Sequence, residues 1–323
     1  MNKLALAALV AVSFNTQAVV NGSPVNWSDY TDRVWVTCSG VVIAGQWVLT
    51  AAHCEGESVE YYNDGLRLNA AVRERIEHPL YLVDGSDVAL LKAGYQPTRH
   101  VTFLSKDIVQ AGQLLSGAGF GGTYPALSVS VQELLPIPDD VVAHKLDMRE
   151  IDGSFTAGGD SGMGWVNEDG YLVGVHGGIS PIEGGAGAVR ISSVADWIVE
   201  QVDGWHFATR IDTNSEATIE IQSLHVAAVL DQSYTSGDVT IVGGSCVGAT
   251  VEPFATCTLD ITSPGYVGRV HLSDSEYIIV NAGKSRPVTP PVTPPSQDGG
   301  SSGGSLSWFL IAAMGLICRL RKI

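Results

Sequence analysis

The run Phe155-Thr156-Ala157-Gly158-Gly159-Asp160-Ser161-Gly162 sets a serine between an aspartate and a glycine, in a stretch too glycine-rich for helix or strand. Glycine lets the backbone turn tightly and aim successive N–H groups at one point. A serine nucleophile needs such a turn: an exposed Oγ, with amide donors facing the oxygen that becomes negative during acyl transfer. It also needs a base, and a group to orient that base. Upstream, Trp47-Val48-Leu49-Thr50 reads as a strand and delivers His53, which is followed by Cys54 and can be tied back to Cys38. Further on, Ser86-Asp87-Val88-Ala89-Leu90-Leu91 brings an aspartate to the mouth of a second apolar strand.

The order His53, Asp87, Ser161, with a cysteine pair bracketing the histidine, resembles the chymotrypsin-like (trypsin-fold) serine peptidases over about residues 19–202. The resemblance implies an all-β, two-barrel protease domain that acts on protein or peptide substrates. By that resemblance Ser161 attacks the scissile carbonyl, His53 takes its proton and returns it to the leaving amine, and Asp87 orients the imidazole. The N–H groups of Gly159 and Ser161 would form the oxyanion hole, where losing one donor costs about 3–4 kcal/mol of barrier. It further implies that a freed amine at Val19 folds inward to pair with Asp160. This chemistry requires no metal or organic cofactor. A pseudo-protease scaffold serving as an adhesin is the alternative from a different class.

By the same resemblance the specificity pocket is built from residues just before the serine and from a later strand. Phe155 stands where trypsin-like enzymes carry an aspartate, so Lys and Arg are disfavoured at P1. Thr156, five before Ser161, and His176, fifteen after it, look like the pair with which bacterial glutamyl endopeptidases hold a substrate carboxylate. A hydroxyl donor beside an imidazole that can be cationic suits an anion in a partly dry pocket. Cleavage after Glu is the leading expectation. Cleavage after small or medium apolar residues, with Phe155 shortening the pocket, stands beside it, as does His176 simply ending an apolar strand.

The 323 residues carry a formal charge of −16. Taking away Lys3, Arg319, Arg321 and Lys322 with the two ends leaves 14 basic against 34 acidic residues. Such a surface repels nucleic acid and suits a soluble exported protein. Residues 1–18 read as a secretory signal: Lys3, a short apolar run, then small residues at the cleavage positions. Signal peptidase would then expose Val19 itself. No Arg or Lys precedes that valine, so a trypsin-like convertase is not expected. In an oxidising compartment the local pairs Cys38 with Cys54 and Cys246 with Cys257 should form disulfides, leaving Cys318 single; metal ligation is disfavoured by the spacing.

Gly117-Ala118-Gly119-Phe120-Gly121-Gly122 satisfies G-x-G-x-x-G, but no helical run follows, so a turn between barrel strands is expected rather than a dinucleotide site. Alternating runs at 58–62, 66–72 and 127–135 read as barrel strands. The protease domain, 19–205, should close with a helix capped by Ser192 or Ser193 that turns Val194, Trp197, Ile198 and Val202 inward. Residues 206–284 carry short β-rich runs at 217–221, 239–242, 256–261, 267–272 and 277–280, and look like a small immunoglobulin-like β-sandwich, either a binding module or a spacer. A Pro/Gly/Ser-rich linker, 285–304, precedes an apolar, basic-ended segment, 305–323. This tail resembles the GlyGly-CTERM sorting signals of Gram-negative bacteria. That implies transient inner-membrane anchoring, removal by a rhomboid-type sortase, and type II secretion to the cell surface or medium. A permanent anchor is the alternative.

Overall fold

Runs of four to eight residues that are apolar throughout or alternate with polar ones, punctuated by glycine, become strands over nearly the whole chain. The computed structural model describes residues 19–136, 144–180 and 185–287. The expected signal 1–18, nearly all of the linker, the 305–323 tail and Cys318 lie outside the described residues. Among the described residues no helix is long and apolar enough to cross a membrane.

Two seven-stranded antiparallel sheets form the first two layers. The first follows the order Leu66–Ala71, Ser58–Asn63, Arg33–Trp35, Ser39–Ile43, Trp47–Thr50, Ala89–Lys92, Glu74–Glu77. It wraps a core of Val34, Val36, Val42, Val48, Val59 and Leu91. The second runs Ser23–Val25, Leu127–Leu134, Lys145–Glu150, Ala186–Arg190, Leu172–Ile179, Gly164–Val166, Leu114–Gly119. It closes on itself because Leu127–Leu134 also pairs with Leu114–Gly119, which removes the exposed edges that an open sheet would present. Val19 is part of its core, with Leu115, Leu146, Met148, Met163 and Trp165. The expected two-barrel, all-β arrangement is therefore present.

Two local expectations are corrected. Residues 117–122 do not form one turn. Gly117 and Gly119 belong to the strand Leu114–Gly119, and only Gly121–Thr123 coils, as a short 3-10 helix. The closing helix, Ile191–Val202, buries Ile191, Val194, Ala195, Trp197, Ile198 and Val199 as its periodicity requires. Neither serine caps it, because the strand Ala186–Arg190 runs directly into it and Arg190 occupies the cap position. Ser193 Oγ lies inside the first turn and donates to the Arg190 carbonyl at 2.8 Å.

After Asp203 ends the helix in a left-handed conformation, the chain enters two four-stranded sheets. One contains Gly204–Phe207, Glu216–Leu224, Thr256–Thr262 and Thr240–Gly243; the other contains Arg210–Ile211, Tyr277–Val280, Gly268–His271 and Tyr234–Gly237. They share one core of Trp205, Phe207, Ile221, Leu259, Ile261, Val270, Ile278 and the disulfide between Cys246 and Cys257. Buried polar groups fasten this pair of sheets to the barrels. The Gln222 side chain donates to the Leu104 carbonyl at 2.7 Å and accepts from its N–H at 3.0 Å. His206 Nδ1 accepts from the Ala44 N–H, so Nε2 carries the proton and donates to the Thr102 carbonyl. Burial pushes this imidazole down to about 4, which keeps it neutral in that bridging role. Thr209 Oγ1 accepts from the Thr98 N–H and donates to the Gln96 carbonyl. The described residues up to Arg286 form one compact unit.

Candidate active site

The register of the first sheet explains how a histidine and an aspartate far apart in sequence meet. Thr50 pairs with Ala89, so His53, three residues past one strand, and Asp87, two before the other, leave the sheet at the same edge. Asp87 then holds His53 twice: Oδ2 lies 2.6 Å from the ring Nδ1, and Oδ1 accepts the His53 N–H at 3.0 Å. A carboxylate on Nδ1 fixes the tautomer with the lone pair on Nε2. Asp87 is largely covered, while the imidazole keeps 39% of its side-chain exposure, enough to meet a substrate.

Ser161 comes from the second barrel, on the turn that precedes Gly164–Val166. Gly162 follows it at φ +81°, and a Cβ there would collide with Thr50 Oγ1 and the Ser39 carbonyl. Only glycine permits that approach, which seats the Ser161 turn against Thr50 and Ala51, two residues from His53. Ser161 is half-buried, and its Oγ makes no hydrogen bond among the described residues, to His53 included. Serine–histidine hydrogen bonds in ligand-free active sites are often long. The Gly159 and Ser161 N–H groups likewise find no acceptor among the described residues.

Three supporting residues escaped the sequence reading. Ser39 N–H donates to the Ser161 carbonyl at 2.9 Å, and Ser39 Oγ donates to the Gly159 carbonyl while accepting the Phe120 N–H. Thr50 Oγ1 donates to the Ser39 carbonyl. Arg75 donates to the Cys54 and Ala52 carbonyls on either side of His53. The one available signal was position, since Ser39 follows Cys38 and the observed disulfide joins Cys38 to Cys54 next to His53. That bridge ties the histidine loop to the tether of the serine turn. Although Cys38, His53 and Cys54 cluster, both sulfurs are spent in the disulfide and offer no thiolate to a metal.

Asp160 is fully buried and accepts N–H groups from Gly121 and Ala157, each at 2.8 Å. Burial pushes its carboxyl up to about 6. A Cβ on Gly121 would stand 2.6 Å from Asp160 Oδ2 and 2.9 Å from the Val19 nitrogen, so both atoms border the same small space. Val19 is itself wholly buried.

The pocket residues fare differently. His176 is 2% exposed, with Nδ1 unpartnered and the Trp165 ring edge-on at 6.1 Å. Burial, then the neighbouring His53, push its pKa down to about 3, against a raising hydrogen bond with the Gly187 backbone. The expectation of a cationic imidazole is thus corrected: desolvation keeps the ring neutral at pH 7. Thr156 is half-buried and Phe155 is 38% exposed, its N–H donated to the Val20 carbonyl.

The trypsin family model matches residues 14–198, more than half the chain. This chain belongs to the trypsin family of serine proteases. Among curated relatives, Drosophila melanogaster serine protease 1 is 30% identical over 208 residues, 50% of this chain and 74% of that protein. Mouse tryptase is 42% identical over 78 residues, 19% of this chain and only 28% of the tryptase. The structure of neuropsin, a serine protease expressed in the limbic system of mouse brain, covers 56% of this chain and 99% of its own at 22% identity and TM-score 0.50, which bears on the fold alone. The trypsin-family assignment covers the two barrels and the closing helix up to residue 198; the two four-stranded sheets lie beyond it.

Proposed function

We propose that the chain is an exported serine endopeptidase that hydrolyses peptide bonds of protein or peptide substrates through an acyl-enzyme. The observation that carries the reading is the double hold of Asp87 on His53, at 2.6 and 3.0 Å, beside a glycine-flanked serine turn. With Nδ1–H given to Asp87, Nε2 accepts the Ser161 proton as Oγ bonds to the scissile carbon. The imidazolium so formed is stabilised by Asp87 and passes the proton to the amine as the C–N bond breaks. Water, deprotonated by the same imidazole, then releases the acid. The N–H groups of Gly159 and Ser161 hold the oxyanion, each worth about 3–4 kcal/mol of barrier. Stoichiometric labelling by a fluorophosphonate, lost in Ser161→Ala, tests this; a wild-type chain that takes no label would support the non-catalytic adhesin instead.

For P1 the leading reading is Glu, and Asp to a lesser degree. Its support is the joint spacing of Thr156 and His176 and the unpartnered, buried Nδ1 of His176. A neutral ring offers a hydrogen bond rather than a charge, so the preference rests on donation and on exclusion of bulk. Small or medium apolar P1 residues form the second reading, favoured by that same neutrality. A P1-varied peptide library separates them, and a clean choice of Lys or Arg would sink both.

Export follows the ends of the chain. Signal peptidase would free Val19, whose amine pairs with Asp160. The GlyGly-CTERM-like tail would be cut by a rhomboid-type sortase before type II secretion from a Gram-negative cell. The paired four-stranded sheets serve as an immunoglobulin-like accessory domain. Mass spectrometry of the extracellular protein should find Val19 first and the 305–323 segment gone; an intact tail would mean a permanent anchor.

A further inference from the structure

Beside Asp87 lies a cleft of about 300 Å³. Tyr81, Gly85 and Asp87 of the first barrel form one wall; Lys145, Asp147 and the segment from Gly177 to Ile179 belong to the second. Both of its carboxylates are engaged: Asp87 with His53, and buried Asp147 with the Ser180 hydroxyl at 2.6 Å. The cation is not. Lys145 forms no hydrogen bond or ion pair through its ammonium among the described residues. Its Nζ reaches across to the first barrel, 3.2 Å from where a Cβ on Gly85 would stand.

The floor of the cleft is open in a second sense. The strand Leu172–Ile179 pairs with Gly164–Val166 only as far as Val175; His176 is still held on that side by Gly162 and Met163, and past it Gly178 and Ile179 pair with Gly187 and Ala186 on the other side. Among the described residues one edge from Gly177 to Ile179 is therefore unpaired, and Gly177 abuts Asp87, with its Cβ position 3.4 Å from Oδ2. An extended peptide can add to such an edge through its backbone, with alternate side chains turned to the same face. One of them would enter the cleft that contains Lys145.

We propose that Lys145 is a specificity-determining residue that selects an acidic side chain in the substrate, within four residues of the scissile bond and distinct from P1. The inference rests on the protease reading given above. In a chain of net charge −16 a local cation matters more than the overall field, because salt screens distant charges beyond about 8 Å at physiological ionic strength. The half-buried ammonium sits inside that range of anything bound in the cleft.

The test uses the processed protein and peptides of fixed P1 in which each position from P4 to P2 and from P1′ to P3′ is in turn Glu, Gln or Lys. At one position wild-type kcat/KM should favour Glu over Gln by roughly tenfold, shrinking as salt is raised. Lys145→Gln should flatten that ratio to near one, and Lys145→Glu should turn it toward Lys. Fluorophosphonate labelling should proceed at the wild-type rate in both variants, which separates this proposal from the catalytic one: an unlabelled wild type defeats the protease reading itself. Equal Glu-to-Gln ratios in wild type and Lys145→Gln at every position would overturn the proposal. So would a lowered melting temperature in Lys145→Gln with selectivity unchanged, since Lys145 would then be serving an acid of its own chain.

Discussion

If the Val19 amine is what neutralises Asp160, then a chain in which that nitrogen remains an amide must carry an uncompensated buried charge. The carboxyl is fully buried and pushed from 3.8 to about 6, so holding it ionised at pH 7.5 costs about 3 kcal/mol. Its folded value lies above its unfolded value. In the uncleaved chain the corresponding stability is thus full below about pH 4 and is lost as pH rises through about 6. Cleavage before Val19 would turn its amide nitrogen into an ammonium in the space beside Gly121 and so remove that loss. The comparison is between a chain beginning at Val19 and one retaining Gln17 and Ala18, melted from pH 4.5 to 8. The two curves should draw together as pH falls toward 4.5 and separate by about 6–12 °C at pH 7.5, the span that 3 kcal/mol gives in a protein of this size. Asp160→Asn should flatten the curve of the extended form. Because Asp160 accepts the Ala157 N–H at the base of the serine turn, the extended chain should also take up fluorophosphonate more slowly at pH 7.5 than at pH 5.5, relative to the processed chain. Parallel melting curves with equal labelling would refute the pairing of Val19 with Asp160.

Three further outcomes follow from the same packing. Gly162→Ala must place a methyl group against Thr50 Oγ1 and the Ser39 carbonyl at φ +81°, and should lose at least about 2–3 kcal/mol in urea unfolding. Gln222→Leu leaves the Leu104 N–H and carbonyl without partners and should cost about 2–4 kcal/mol; a chain ended at Asp203 should then be insoluble, and a soluble one that still labels would show the barrels to be independent of the paired sheets. His176 and His206 are buried neutral, at about 3 and about 4, both below the unfolded value of 6.5. The stability they contribute is present above pH 6.5 and is lost as pH falls toward those values, so at pH 5 these two rings should take up close to two protons on unfolding, against about one released by Asp160 in the uncleaved chain, as calorimetry in buffers of different ionisation heat can count.

What could be read from the chain depended on whether a residue's neighbours in sequence were also its neighbours in space. His53, Asp87 and Ser161 each sit in a short local motif, and a strand register of a few residues brings the first two together, so their types and order were legible. Ser39, Thr50 and Arg75 were not, because they act through backbone carbonyls, and Ser39 reaches Gly159 across 120 residues. Long alternating strands such as Glu216–Leu224 and Thr256–Thr262 declared themselves, whereas Arg210–Ile211 is two residues long and exists only by pairing with Tyr277–Val280. Spacing could nominate Thr156 and His176, but the charge on His176 is set by what surrounds it.

The attachment of the paired sheets was hidden for a related reason. Gln222 and His206 carry polar side chains, yet both are fully buried and bonded to the backbone between Ala44 and Leu104. A spacer or freely displayed adhesin would have no use for such bonds, since each leaves buried backbone groups unsatisfied if the two parts separate. Leu224 goes further, packing in the same core as Trp197 of the closing helix and Leu49 of the strand that leads to His53. Removing the sheets would therefore strip cover from the strand that leads to His53. On this reasoning the C-terminal sheets are a structural part of the protease, whatever else their outer surface binds.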